Sequence, residues 1–171
     1  MSALIKSTVS VASMTLLSRV LGLARDIVIA RFFSASDAAD AFFVAFKIPN
    51  FLRRLFAEGA FSLAFVPVLS EYRSSYTAAQ TRDLIDRVAG TLGFILLLLS
   101  LLGVAASPLL ISIFAAGFID QPAKFDLTAD MLRLTFPYIL LISMTAMAGG
   151  ILNTWKRFAV PAFTPVLLNL S

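Results

Sequence analysis

Residues 88–119 read VAGTLGFILLLLSLLGVAASPLLISIFAAGFI and contain no charged side chain. Residues 134–155, LTFPYILLISMTAMAGGILNTW, contain none either. The hydrocarbon core of a bilayer, roughly 30 Å thick, is crossed by about 20 helical residues, so both stretches are long enough to span. Backbone amides and carbonyls in lipid must bond within the protein, which leaves helices or closed barrels. The period-two alternation of a barrel strand is absent, so these spans are helical. Composition agrees: 59% of residues are hydrophobic, 14% are charged and the mean hydropathy is +0.90, whereas a soluble domain carries about 25% charged residues.

Working outward, the sequence divides into five apolar segments: residues 8–33, 37–69 with Pro49 inside, 88–118, 127–155, and 159–171, the last still apolar at Ser171. The fold class expected is all-α, a polytopic transmembrane helix bundle. A chain that stops inside a span reads as a partial N-terminal lobe, 1–171, of something larger. Lys6 ahead of an apolar run resembles a leader peptide, but Arg19, Arg25 and Asp26 interrupt the run and no small-x-small cleavage site follows, so a retained span is expected. The polar stretch 71–87 is expected to be a loop holding an amphipathic surface helix.

Short-loop Lys and Arg residues collect on the cytoplasmic side. With the N-terminus inside, Lys6, Arg73, Arg82, Arg87, Lys156 and Arg157 fall on one side. Arg31 and Lys124 fall on the other, among Asp37, Asp40, Asp120, Asp126 and Asp130. The sequence therefore predicts a cytoplasmic N-terminus and a cytoplasmic 71–87 loop.

The charges inside the segments carry the functional signal. On a helical wheel of about 100° per residue, Ser7, Thr8, Thr15, Ser18, Arg19, Gly22, Arg25 and Asp26 fall within an arc of about 120°. The second segment adds Lys47, Asn50, Arg53, Arg54 and Glu58, with Arg54 and Glu58 spaced to pair on one helix face. An arginine at the centre of a lipid-facing helix costs about 2.5–3.5 kcal/mol, so Arg19, Arg25, Arg53 and Arg54 together would cost on the order of 10 kcal/mol. A Leu or Val returns only about 0.3–0.6 kcal/mol. These arginines must face protein or a water-filled cavity. Asp26, Asp40 and Glu58 do not balance them, and a surplus of guanidinium groups suits an anion, above all a phosphate. The competing reading is structural pairing and snorkelling, which fits Arg31 and Lys47 best.

Other chemistry has no support. The chain has no cysteine and no histidine, which removes thiol nucleophiles, disulfides and the usual zinc sites. No acid–base dyad and no glycine-rich phosphate loop is present. Neither a catalytic role, a cofactor, a metal nor a nucleic-acid partner is implied.

Four blocks, SRVLGLARD (18–26), DAFFVAFKIPNFLRRLFAEGAFSLAFVPVLSEY (40–72), RLTFPYILLIS (133–143) and ILNTWKRFAVPAF (151–163), resemble the lipid II flippase family known as MurJ or MviN. The resemblance covers the whole chain. It implies the first four helices, and the start of a fifth, of a fourteen-helix, two-lobed exporter fold of the multidrug, oligosaccharidyl-lipid and polysaccharide exporter superfamily. It implies movement of lipid II, an undecaprenyl-diphosphate-linked saccharide–peptide, from the cytoplasmic to the periplasmic leaflet by alternating access. On the matching motifs Arg19, Arg25 and Arg53 are substrate-binding residues of a cationic cavity, and Asp26, Asp40, Arg54 and Glu58 act in gating or charge pairing. Implied partners are lipid II, membrane lipids and the C-terminal remainder of the same protein; the implied location is the bacterial inner membrane. Two rivals remain: another exporter of the superfamily, moving a different lipid-linked saccharide or a drug, which trapped substrate would reveal, and a small membrane interaction subunit. The gene beyond Ser171 separates the subunit from the flippase.

Overall fold

The computed structural model describes residues 2–33, 36–54 and 61–170, and every regular element among them is helical. In chain order these are α1 (Ser2–Phe33), α2 (Asp37–Arg53), α3 (Phe61–Ser75), α4 (Ala78–Ala105), α5 (Ser107–Phe114), a 3₁₀ turn (Ala116–Phe118), α6 (Pro122–Thr135), α7 (Tyr138–Thr154) and α8 (Ala159–Leu170). Two stretches, Ala78–Ala105 and Pro122–Thr154, are long and apolar enough to cross a membrane. The chain divides into two compact units, one of residues 1–34 with 148–171, the other of residues 35–147.

The larger unit is organised by an apolar core of Ala45, Ile48, Leu96, Ile111, Ala129, Leu132, Phe136 and Ile139, drawn from α2, α4, α5, α6, α7 and the α6–α7 junction. Its helices are shaped by prolines. Pro49 lies buried inside α2. Having no N–H, it leaves the Ala45 carbonyl without its helical donor. Thr135 of α6 approaches that carbonyl, its Oγ1 3.1 Å from the Ala45 oxygen while also within 2.9 Å of the Met131 carbonyl. The single Thr135 hydroxyl proton is thus shared in reach between two carbonyls, one of them the acceptor that Pro49 leaves without a helical donor. Pro137, by contrast, divides the apolar stretch 134–155: α6 stops at Thr135 and α7 starts at Tyr138. Pro108 sits in the first turn of α5, where α4 gives way at Ala105.

Close packing sets one backbone position. A β-carbon on Gly103 would overlap the ring of Phe136, so α4 meets the α6–α7 junction only because residue 103 has no side chain. Ser107 Oγ donates to the Gly103 carbonyl at 2.9 Å, which fills the bonding of the same turn. Two buried hydroxyls, those of Ser100 and Ser143, have no partner among the described residues.

The stretch 71–87 departs from the expected loop. Helix α3 runs on to Ser75 and α4 begins at Ala78. The cause is a capping box: Gln80 N donates to Thr77 Oγ1 at 3.3 Å, and Thr77 N donates to Gln80 Oε1 at 3.0 Å. Residues 78–87 are thus the first turns of the long helix itself, with Asp83 and Arg87 paired at 2.9 Å on its exposed surface.

The smaller unit packs α8 along α1. Its α7–α8 turn is a helix stop in which Lys156 N donates to the Asn153 carbonyl at 3.0 Å and Arg157 N to the Leu152 carbonyl at 2.9 Å. This is the Schellman pattern, whose reversing residue takes left-handed backbone angles. Here that residue is Lys156, with φ 59°.

Candidate functional site

Helix α1 positions Arg19, Arg25 and Asp26. With 32 residues and a rise of about 1.5 Å each, it is longer than a bilayer core is thick. None of its described side chains is buried. Arg19 is exposed and makes no ion pair among the described residues. Arg25 retains 38% of its side-chain exposure and its Nη2 lies 3.0 Å from Asp26 Oδ1, with Nε at 3.2 Å from the same oxygen. The two groups are sequence neighbours and mostly in reach of solvent, so the pair is weak; Arg25 retains donors for a further anion.

The polar stripe of α1 is not left open along its whole length. Asn169 of α8 donates from Nδ2 to the Ser18 carbonyl at 2.8 Å and to Ser18 Oγ at 2.9 Å. A β-carbon on Gly22 would lie 3.5 Å from the same carboxamide. Ser18 and Gly22 therefore serve helix–helix contact at this level, while Arg19 and Arg25 stand on the two edges of the stripe.

In the larger unit, α2 positions Arg53, Arg54 and Asp40. Arg53 is half-buried and its Nε donates to Asn50 Oδ1 at 3.0 Å, one turn back on the same helix. Asn50 thus helps to orient the guanidinium. Arg54 is exposed and caps the C-terminus of α2, its N–H directed at the Asn50 and Phe51 carbonyls. Glu58, its predicted partner, lies outside the described residues.

Asp40 is placed by the N-terminus of α2, where Ser36 accepts from Ala39 N at 3.2 Å. It stands with Asp37 in the first helical turn, where the helix dipole favours carboxylates. Both bind one cation: Lys124 Nζ lies 2.7 Å from Asp40 Oδ2 and 2.9 Å from Asp37 Oδ1. The ammonium also stands over the Phe118 ring, 4.6 Å from its centroid. The Lys124 side chain keeps 10% of its exposure. This cluster ties the start of α2 to the start of α6.

Lys124 and Asn169 were not among the residues singled out from sequence. Lys124 looked like an ordinary loop cation; the acidic residues three apart, Asp37 and Asp40, were the signal for a shared cationic partner. Asn169 is the single carboxamide of an otherwise apolar helix, and that isolation was its signal. A groove of about 340 Å³ along α4, lined by Arg87, Val88, Thr91, Leu92 and Ile95, contains none of the predicted site residues. No cluster of metal-binding side chains occurs among the described residues.

Comparison with known proteins identifies the arrangement. The family model "Lipid II flippase MurJ" matches residues 29–171. A probable lipid II flippase MurJ of Vibrio cholerae is 53% identical over 98% of this chain and 33% of its own length. The lipid II flippase MurJ of Burkholderia cenocepacia is 48% identical over the same shares. A solved lipid II flippase MurJ in an inward closed conformation superposes with a TM-score of 0.78 at 36% identity, covering 94% of this chain and 33% of that one. The chain therefore spans about a third of the length of the curated relatives it matches. These relatives are named as lipid II flippases. The agreement of an all-helical fold, a matching family model and relatives at up to 53% identity means that the chain belongs to the MurJ family of lipid II flippases.

Proposed function

We propose that the protein carrying this chain moves lipid II from the cytoplasmic to the periplasmic leaflet of the bacterial inner membrane, with Arg19, Arg25 and Arg53 gripping the diphosphate–sugar headgroup. Family membership supports the substrate. The observation that carries the assignment is that the two guanidinium groups of α1 are lightly partnered: among the described residues Arg19 has no ion pair, and Arg25 shares an exposed carboxylate. Charge left unneutralised in a membrane segment is costly unless a ligand uses it. An arginine fork binds a phosphate through two parallel hydrogen bonds. The roles then divide by chemistry. The three arginines hold the anion; Asp26 tempers Arg25 between substrates; Arg54 and Glu58, four apart in sequence, are assigned to charge pairing; Asp40 with Lys124 acts as a charge latch. Alternating access needs two halves that rock about a central site, so the full-length protein is the transporting unit. The distribution of lysine and arginine supports a cytoplasmic N-terminus.

The test is to express R19A, R25A, R53A and the corresponding lysine variants in full-length protein, scoring membrane abundance and growth in cells depleted of their own flippase. The alanine variants are expected at parental abundance without supporting growth. The lysine variants keep charge but lose the fork, and intermediate growth is expected. Alanine variants that disappear from the membrane, or that grow as the parent does, overturn the assignment.

A further inference from the structure

We infer that Asn169 is a positioning residue for the cationic stripe: by bonding Ser18 it fixes the rotation of α1 and so decides where Arg19 and Arg25 point. The inference rests on the proposed phosphate-gripping role of those arginines.

The geometry starts from the cost of a carboxamide in an apolar helix. Helix α8 reads AVPAFTPVLLNL, and its one other polar side chain, Thr164, bonds back to its own Val160 carbonyl at 3.3 Å. An amide without partners is expensive in such surroundings. Asn169 meets that cost on α1, donating to the Ser18 carbonyl at 2.8 Å and to Ser18 Oγ at 2.9 Å. A carbonyl only accepts, so the amide nitrogen must be the atom facing it. Gly22, one turn further, leaves the space: a β-carbon there would already touch the carboxamide at 3.5 Å, and a longer side chain would displace it.

Helix α8 packs along α1, with Val166 buried, and the Asn169 bonds add direction to that contact. None of the described side chains of α1 is buried, and apolar contacts have no direction. A hydrogen bond does have direction. At about 100° per residue, Ser18 and Gly22 lie between Arg25 on one edge of the stripe and Arg19 on the other. An α8 anchor in the middle of the stripe therefore presents one arginine on each side of itself. A slip of one residue in that contact would turn both guanidinium groups by about 100°.

The experiment uses full-length protein reconstituted in lipid vesicles, with lipid II as the probe. N169L keeps the side-chain volume, removes both donors and makes the helix more apolar. It is expected to reach the membrane as the parent does and to melt at a similar temperature. Its half-saturating lipid II concentration is expected to rise about tenfold, the size two interhelical hydrogen bonds can carry, with a smaller change in maximal rate. N169Q should recover part of the affinity. S18A, which keeps the carbonyl acceptor, should shift affinity less, and N169L/S18A should be no weaker than N169L alone. R25A is run in parallel. N169L with parental affinity beside an inactive R25A overturns the inference while leaving the arginine site standing. R25A with parental transport removes the arginine site itself, and the inference with it. N169L that is missing from the membrane, or that loses rate at unchanged affinity, assigns Asn169 to folding or to the conformational step and overturns positioning.

Discussion

Each of the two units of this chain has its own kind of internal organisation. The larger unit is a packed bundle: a contiguous apolar core, a proline whose orphaned carbonyl meets a threonine hydroxyl, and a lysine enclosed by two carboxylates and a ring. The smaller unit has one long helix without a buried side chain among those described, and a second helix packed along it, with Val166 buried and an asparagine amide bonded across the contact. Its described cations are exposed or only weakly paired. Its turn carries the strained backbone, at Lys156. One region spends its interactions on stability; the other leaves charge and directional bonds available.

The strongest way to break this contrast is to disturb the core of the larger unit. In G103V the added carbons collide with the Phe136 ring, whose neighbours Leu132 and Ile139 are fully buried and have no room to yield. Overpacking of this kind costs about 1–3 kcal/mol, and more when backbones must separate. The expected outcome is loss of folded protein from the membrane, partly reversed by a second change, F136A, which removes the ring. A valine equal in expression and melting to the parent would mean that α4 and the α6–α7 junction are not in van der Waals contact.

The ion cluster at the start of α2 gives a more graded test. Lys124 is the enclosed member and its two aspartates are exposed. Removing the aspartates with D37N/D40N leaves an enclosed ammonium without a counter-charge, the costly direction. Removing the cation with K124M leaves two carboxylates already in reach of water, the mild direction. Melting in detergent should therefore fall clearly for D37N/D40N and less for K124M. Equal losses would mean that Lys124 is as exposed as its partners. G22A, in the other unit, brings its new carbon only into ordinary contact and should leave melting unchanged.

Much of this was legible beforehand, for physical reasons that differ by region. The uncharged stretches 88–119 and 134–155 announced helices because lipid permits little else. The beginning of α4 was misplaced because hydropathy was given more weight than capping: Thr77-Ala-Ala-Gln80 is a capping-box signature, and it starts the helix well ahead of the apolar run. The arginines stood out through their cost in lipid. Their surroundings did not, since Asn169 lies far from Ser18 in sequence, and a wheel shows which residues share a face without showing what covers that face. Lys124 was assigned to a loop because a pairing between α2 and α6 is a tertiary fact that no local pattern contains.

The smallest effect is expected in the turn between α7 and α8, and it sharpens the contrast from the other side. A Schellman stop needs left-handed backbone angles at its reversing residue, a conformation glycine adopts freely. For any other L-residue the β-carbon crowds the following carbonyl, at about 1–2 kcal/mol. Lys156 holds φ 59° there, secured by the bonds from Lys156 N to Asn153 O and from Arg157 N to Leu152 O. K156G removes the crowding, but glycine also makes the unfolded chain more flexible, so the net gain should be below about 1 kcal/mol. Two further variants separate backbone from charge. K156A loses the ammonium and keeps the strain, so it should not stabilise. K156N loses the ammonium but tolerates left-handed angles, so it should fall between alanine and glycine. The measurement is thermal melting of the purified full-length variants, together with membrane orientation by labelling of a cysteine introduced into a background freed of any other cysteine. A rise for glycine, little for alanine and an intermediate value for asparagine would place the strain in the backbone. If alanine rises as much as glycine, the lysine charge is the destabilising feature and the turn is relaxed. If glycine stabilises but loosens orientation, the lysine is retained for its charge beside Arg157, at a cost to the smaller unit that the larger unit nowhere bears among its described residues.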